Sequence, residues 1–379
     1  MTYFDNAATT PLSPNVIRAM TAAMQDNFGN PSSIHFYGRR ANKILRECRQ
    51  AIARNLGASE QQIIVTSGGT ESNNMAIKGY ALAHQAKGKH LITTTIEHHS
   101  VLHTMAYLEE RFGFEVTYLP CQNGQINLSD LKQALRDDTI LVSIMYANNE
   151  TGDLLPIKDI GNLLKDHQAA FHVDAVQAVG KLKIIPSELG IDFLSASAHK
   201  FHGPKGCGFL YSNGQPIDPL LHGGDQEGKR RASTENMLGI IGMAQALTDA
   251  MTCLDQSTDH IISLRHHLIS LLEGLPYYIN QGTHYLPHVL NIGFLGYQNT
   301  ILLTQLDLAG IAVSTGSACT AGAVNPSHVL AAYYGDDSSR LKESIRISFS
   351  DQNSIEDVNQ LAQTLKNILG GTDGFRKRN

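Results

Sequence analysis

Residues 192–200 read Asp192-Phe193-Leu194-Ser195-Ala196-Ser197-Ala198-His199-Lys200. Residues 193–196 form a short apolar run of the kind that fills a strand covered on both faces. A lysine follows almost at once, and then the glycine-rich turn Gly203-Pro204-Lys205-Gly206. A lysine just past a buried strand lies outside the carboxyl end of that strand, where open α/β sheets place ligands. Partial desolvation lowers the pKa of an amine in that position, which then can form a Schiff base with an aldehyde cofactor. Alone, Lys200 is equally an exposed loop lysine; the surrounding segments decide between the two.

Outward from this stretch, residues 62–66, 90–94, 115–119, 140–144, 171–173 and 207–211 repeat the pattern of short, apolar, β-branched runs. Segments such as 98–111 and 156–168 lie between them with helical periodicity. Strand–helix alternation predicts an α/β domain built on a mostly parallel sheet. The last third differs. Residues 256–273, 299–309 and 355–369 read as helices, and 288–294 and 343–349 as strands, which suits a smaller α+β domain. The expected division is an N-terminal segment 1–14 near the active site and packed with the small domain, a large domain 15–255, and a small domain 256–379.

The 379-residue chain can bury a large core without disulfides. A net charge of −5 gives no global electrostatic reason to expect nucleic-acid or membrane binding. Nothing approaches the ~20 apolar residues of a membrane helix, and the first residues lack a secretory pattern. Five scattered cysteines do not make a disulfide framework, so a reducing, cytoplasmic setting is expected. The terminal Arg376-Lys377-Arg378 reads as a solvated tail.

Four further motifs bear on chemistry. In His172-Val173-Asp174-Ala175-Val176-Gln177, Asp174 follows an apolar run and stands one crossover before Lys200. A helix cap is its ordinary role. Paired with the lysine, it becomes a carboxylate able to hold a pyridinium proton, as pyridoxal 5′-phosphate (PLP) requires, with Gln177 near the phenolic oxygen. Thr66-Ser67-Gly68-Gly69-Thr70-Glu71-Ser72 links a strand to a helix, so Gly69, Thr70 and Glu71 form a candidate phosphate cradle, or equally an ordinary tight loop whose Ser or Thr caps the helix. Glu97-His98-His99 places an imidazole after another strand, able to stack on a ring and move protons. A metal site there is rejected, since no spaced ligand set accompanies the histidines. Finally, Ser314-Thr315-Gly316-Ser317-Ala318-Cys319-Thr320-Ala321-Gly322 sets a cysteine among small residues, a flexible setting for a reachable nucleophile. Cys48, Cys207 and Cys253 are expected in core positions of helices or a strand, and Cys121 in a turn.

Together these residues resemble the cysteine desulfurases of the NifS/IscS kind within the class V aminotransferase family. The resemblance runs through almost the whole chain. Beyond the motifs above it includes Asp5-Asn6-Ala7-Ala8-Thr9-Thr10-Pro11, Asn148-Asn149-Glu150-Thr151-Gly152, Arg231-Ala232-Ser233-Thr234-Glu235-Asn236 and Ser344-Ile345-Arg346. It implies the aspartate aminotransferase-like fold of PLP-dependent transferases and the release of sulfur from L-cysteine, with alanine as product. Lys200 would carry PLP, His98 would stack on its ring, Asp174 would pair with the pyridine nitrogen and Gln177 would meet the phenolic oxygen. Thr70, Ser197 and His199 would hold the phosphate, joined by Thr234 from the partner in a homodimer. Asn149 and Arg346 would bind the substrate carboxylate. Cys319 would be the nucleophile that carries a persulfide to an acceptor protein, either an iron–sulfur scaffold or a tRNA-thiolating enzyme. Asn325-Pro326-Ser327-His328 after the cysteine fits the branch with an extended catalytic loop. Ser233 departs from the glycine that many relatives carry there, which bears on the backbone before Thr234. The chain also ends soon after its last helix, where longer relatives extend toward the acceptor. The alternatives are another PLP enzyme of this fold, such as a selenocysteine lyase or aminotransferase, and an inactive scaffold. Against the scaffold stands the intact set Lys200, Asp174, His98 and Cys319.

Overall fold

The computed structural model describes residues 1–122, 124–316 and 326–370. Its strands in chain order are β1 (Thr2–Tyr3), β2 (Ile63–Thr66), β3 (His90–Thr94), β4 (Glu115–Leu119), β5 (Cys121–Gln122), β6 (Gln125–Ile126), β7 (Thr139–Met145) and β8 (Ala170–Asp174), then β9 (Phe193–Ser197), β10 (Gly208–Ser212), β11 (Tyr277–Ile279), β12 (Val289–Phe294), β13 (Ile311–Ala312) and β14 (Ser344–Ser348). The helices are α1 (Pro14–Asp26), α2 (Phe36–Asn55), α3 (Gly69–Asn74), α4 (Tyr80–His84), α5 (His99–Phe112), α6 (Leu128–Ala134) and α7 (Ile157–Leu164), then α8 (Met237–Thr252), α9 (Leu254–Leu271), α10 (Asn299–Leu308), α11 (His328–Tyr334), α12 (Arg340–Glu343) and α13 (Ile355–Gly370).

The apolar runs between residues 62 and 212 assemble into one seven-stranded sheet of order β2-β10-β9-β8-β7-β3-β4. Neighbours are parallel except β10, which runs against both β2 and β9. Strands β7, β8 and β9 are buried along their whole length. One face is covered by apolar residues of α2, α7 and α8, such as Leu45, Ile160 and Met243. The other is covered by the α3–α5 region, through Met75, Tyr80 and Met105. Two buried histidines stitch the sheet crosswise. His172 lies between the hydroxyls of Ser143 (2.8 Å) and Ser195 (3.0 Å), joining β7, β8 and β9. His90 does the same between Thr139 and Thr117. Each satisfies polar atoms that would otherwise be orphaned in the core.

A separate core gathers on the antiparallel sheet β11-β12-β14 and the inner faces of α9, α10 and α13. The chain passes into it at Cys253, where α8 and α9 meet at 72°. The N-terminal segment joins this second core. β1 pairs in parallel with β13, and Phe4 is buried edge-on against Phe349 at 5.5 Å. Among the described residues no single helix is long and apolar enough to cross a membrane.

Some local expectations are corrected. Cys253 is exposed, because it stands in the break between two helices and not on an inner helical face. Cys121 belongs to the β5–β6 hairpin and is buried, and Cys207 is buried one residue before β10. The helix expected over 156–168 stops at Leu164.

Candidate active site

The loops after β2, β3, β7, β8 and β9 leave the sheet on one edge, and they meet there around a cavity of about 240 Å³. β9 delivers Lys200 through a single 3-10 turn, Ala198–Lys200. Its ammonium donates to the carbonyls of Ala7 (2.6 Å) and Ala8 (2.9 Å), so the N-terminal segment forms one wall. β8 ends on Asp174. One of its oxygens accepts from the Val176 N–H at 3.0 Å and the other from the Asn73 amide at 2.7 Å. Asn73 also donates to the Ser100 hydroxyl (2.9 Å), which meets His98 Nδ1 at 2.8 Å. A continuous polar chain therefore runs from Asp174 through Asn73 and Ser100 to His98.

His98 is the N-cap of α5, and its Nδ1 accepts from the Ser100 N–H. Burial holds its pKa below the ordinary imidazole value; Lys200 and the neighbouring histidines add to this while Asp174 opposes it. The ring is therefore neutral near pH 7 and able to take a proton. His199 is pushed down to about 4, first by burial and then by Lys200 and Lys205, and its Nδ1 meets the Thr9 hydroxyl at 3.2 Å.

Gly69, Thr70, Ser197 and His199 line the end of the cavity beside α3. A Cβ at Gly69 would stand 2.5 Å from Val176 Cγ2, so the Val176 side chain packs close against this turn and would have to shift for any larger residue. Glu71 and Thr234 do not line this cavity. The Glu71 carboxylate is engaged elsewhere, by the Arg231 guanidinium at 2.7 and 3.2 Å and by the Ser67 N–H at 2.7 Å. These bonds hold it below the usual carboxylate range against the effect of burial. Thr234 is exposed, and Ser233 before it takes φ +106°, a left-handed backbone that favours glycine.

Arg346, from the middle of β14, reaches the opposite wall with only 3 % of its side chain exposed. It donates to the Asn149 carbonyl (2.9 Å) and to the Asp5 carboxylate (2.9 Å), while its buried Nε has no partner among the described residues. Gln177 donates to the Ala7 carbonyl at 3.0 Å and accepts from Lys181 at 3.2 Å. Cys319 lies outside the described residues; Gly316, which precedes its segment, borders the cavity. Thus Lys200, His98, Asp174, Gln177, Gly69, Thr70, Ser197, His199, Asn149 and Arg346 converge. Sequence reading missed Asn73 and Asp5 as members of the site. Asn73 stands one helical step after Thr70, a spacing that could have pointed to it.

The description "Aminotransferase class-V" matches residues 2–361, and the chain belongs to that family. Among relatives, it is 50 % identical over 372 residues to the putative cysteine desulfurase IscS 1 of Bacillus subtilis, covering 97 % of this chain and 98 % of that one. It is 47 % identical to the cysteine desulfurase IscS of Methanosarcina thermophila, covering 97 % and 91 %. Among solved structures, a NifS-like protein superposes with a TM-score of 0.91 at 38 % identity, covering 98 % of this chain and all (100 %) of that one. SspA in complex with cysteine superposes with a TM-score of 0.83 at 34 % identity, covering 93 % and 100 %. Within the family, the likeness is to cysteine desulfurases of the IscS and NifS kind.

The site fits PLP, the cofactor of this family. It offers an amine for the aldehyde, a fixed carboxylate for the ring nitrogen, a neutral imidazole beside the ring position, and a glycine–hydroxyl end for the phosphate.

Proposed function

We propose that this chain is a PLP-dependent cysteine desulfurase that takes sulfur from L-cysteine as a persulfide on Cys319 and releases alanine. The observation that carries this reading is the convergence of Lys200, Asp174, His98 and Arg346 on one cavity bordered by Gly316, three residues before Cys319.

PLP, when bound, supplies an electron-withdrawing ring that accepts the electrons left when the substrate Cα loses its proton. Lys200 would hold the cofactor by its aldehyde and would carry the Cα proton, its amine kept beside the cavity by the Ala7 and Ala8 carbonyls. Asp174, fixed by Asn73 and the Val176 N–H, would keep the ring nitrogen protonated. Neutral His98 would meet the ring and pass a proton. Arg346 binds the substrate carboxylate, with Asn149 beside it; a guanidinium fits a carboxylate bidentately. The Cys319 thiolate attacks the substrate sulfur. An S–S bond forms as the C–S bond breaks, the persulfide stays on Cys319, and protonation of the remaining carbon gives alanine. The persulfide then passes to an acceptor protein serving iron–sulfur assembly or tRNA thiolation.

A homodimer completes the reading. Thr234 is exposed and outside its own chain's cavity, which suits a contact with the partner's phosphate end. The exposed Phe28, Ile34 and Phe36 offer apolar surface for such an association. The test is an assay of sulfide and alanine from L-cysteine with reductant present, comparing wild type with Cys319→Ser. Equal yields from the wild type and neither product from a variant that still binds PLP are expected. A variant that matches the wild type would overturn the role of Cys319.

A further inference from the structure

Behind the wall formed by residues 6–10 lies a second cavity, of about 400 Å³. It opens between the two cores and shares Ala7 and Lys200 with the first. Its size falls in the ~300–1,000 Å³ range of small-molecule sites. Ile261, Ala250 and Phe349 give it apolar surface, and Lys200, His202, Asp249 and Asp351 also line it. Two polar groups stand out. His288 is buried, 8 % exposed, and its Nδ1 has no partner among the described residues. Lys181 is half-buried, and its ammonium meets only the Gln177 amide oxygen, at 3.2 Å, with no carboxylate partner among the described residues. The proposed mechanism uses neither.

We propose that this cavity is a second ligand site, taking a small organic monocarboxylate whose head meets Lys181 and His288 and whose short apolar tail lies toward Ile261 and Ala250. The other charged groups of the lining are engaged: Lys200 donates to the Ala7 and Ala8 carbonyls, Asp351 faces His202 at 3.4 Å, and Asp249 accepts from Asn15 and Gln245. With those two carboxylates nearby, the site suits a ligand with one negative charge better than the two of a phosphate monoester. Burial, with Lys200 and Arg346 nearby, pushes Lys181 down to about 7, and an entering carboxylate would restore its full charge. Besides the shared Lys200, Gln177 links the site to the first cavity. Gln177 accepts from Lys181 and donates to Ala7, so a ligand that draws Lys181 away changes what Gln177 presents to the PLP site. That last effect rests on the function proposed above, whereas binding itself does not.

The probe is sodium hexanoate, added to the PLP-loaded enzyme and followed by ligand-observed NMR. Cys253 lines the same cavity and is exposed, so its alkylation by iodoacetamide, read by peptide mass mapping, reports occupancy. Saturable binding is expected, with Cys253 protected in step. Lys181→Met should weaken both by about tenfold, as loss of a charged hydrogen bond does. Ala250→Phe, which fills the cavity, should abolish both. Because hexanoate could also reach Arg346, Arg346→Met should leave Cys253 protection intact. Absence of saturable binding, equal binding in Lys181→Met, or protection lost in Arg346→Met would each overturn the proposal. A shift of the cofactor absorption band that tracks occupancy would support the Gln177 link, and binding without such a shift would remove that link alone.

Discussion

The Arg346 guanidinium donates to the Asp5 carboxylate at 2.9 Å, a pairing across 341 residues of sequence. It aims the proposed carboxylate-binding fork from β14 using the N-terminal segment as its rest. Arg346→Lys keeps the charge but loses the planar fork, and kcat/KM for L-cysteine should fall about 100-fold. Asp5→Asn should cost less, about tenfold and mainly through KM, since Asn149 still holds one arm. Steady-state kinetics check both; an unchanged KM in Asp5→Asn would mean the pairing is only structural.

Asn73 bridges Asp174 and Ser100 with one amide. Asn73→Ala should leave PLP bound yet lower kcat by about tenfold, because the Asp174 carboxylate loses a charge-assisted hydrogen bond that orients it. The absorption spectrum of the loaded variant reports cofactor retention, and turnover reports the loss. Full activity would remove Asn73 from the positioning of Asp174.

Ser233 holds φ +106° with a side chain that this backbone disfavours. Ser233→Gly should relieve about 1 kcal/mol of strain. In a protein of this size the melting midpoint should rise by about 2 °C. Thermal unfolding of the loaded enzyme measures it, and a lower midpoint would show that the Ser233 side chain contributes more than its backbone costs.

Glu97 is fully buried beneath the site. One oxygen accepts from the Thr94 hydroxyl and the Met145 N–H, and the other has no partner among the described residues. Burial raises its pKa from 4.5 to about 8. A folded pKa above the unfolded one stabilises fully below about 4.5, and that contribution is lost as pH rises through about 8. His172 and His199, lowered to about 3 and about 4, act the other way, their contribution being lost as pH falls below about 6.5. Comparing wild type with Glu97→Gln cancels the histidines. The stability difference should therefore shift toward the variant from pH 4.5 to 8, by at most about 1.4 kcal/mol per pH unit. Urea midpoints across that range decide it; a flat difference would mean Glu97 is ionised in the fold.

The sequence was most legible where a signal repeats locally. The runs at 90–94 and 115–119 coincide with β3 and β4 residue for residue, because short apolar, β-branched runs are written in side-chain type. Lys200, Asp174 and His98 were found because each directly follows such a run. What stayed hidden depends on distant partners. Nothing near Asp5 announces Arg346, nothing near Asn73 announces Asp174, and Glu71 next to a glycine cradle gives no sign that Arg231 takes it away. The exposure of Cys253 was missed for a related reason, since its placement in the break between α8 and α9 depends on how the two helices pack and not on its own residue type.

The wall that carries the Ala7 and Ala8 carbonyls is anchored by β1 on β13 and by Asp5 on Ser348 and Arg346. These contacts join residues 1–10 to β13 and β14, which leave the ribosome about 300 residues later. A nascent chain can therefore form its central sheet while Lys200 still lacks its neighbouring wall, and the pocket matures only after β14 has been released. Synthesis thus keeps the reactive amine in an unfinished setting until β14 has emerged.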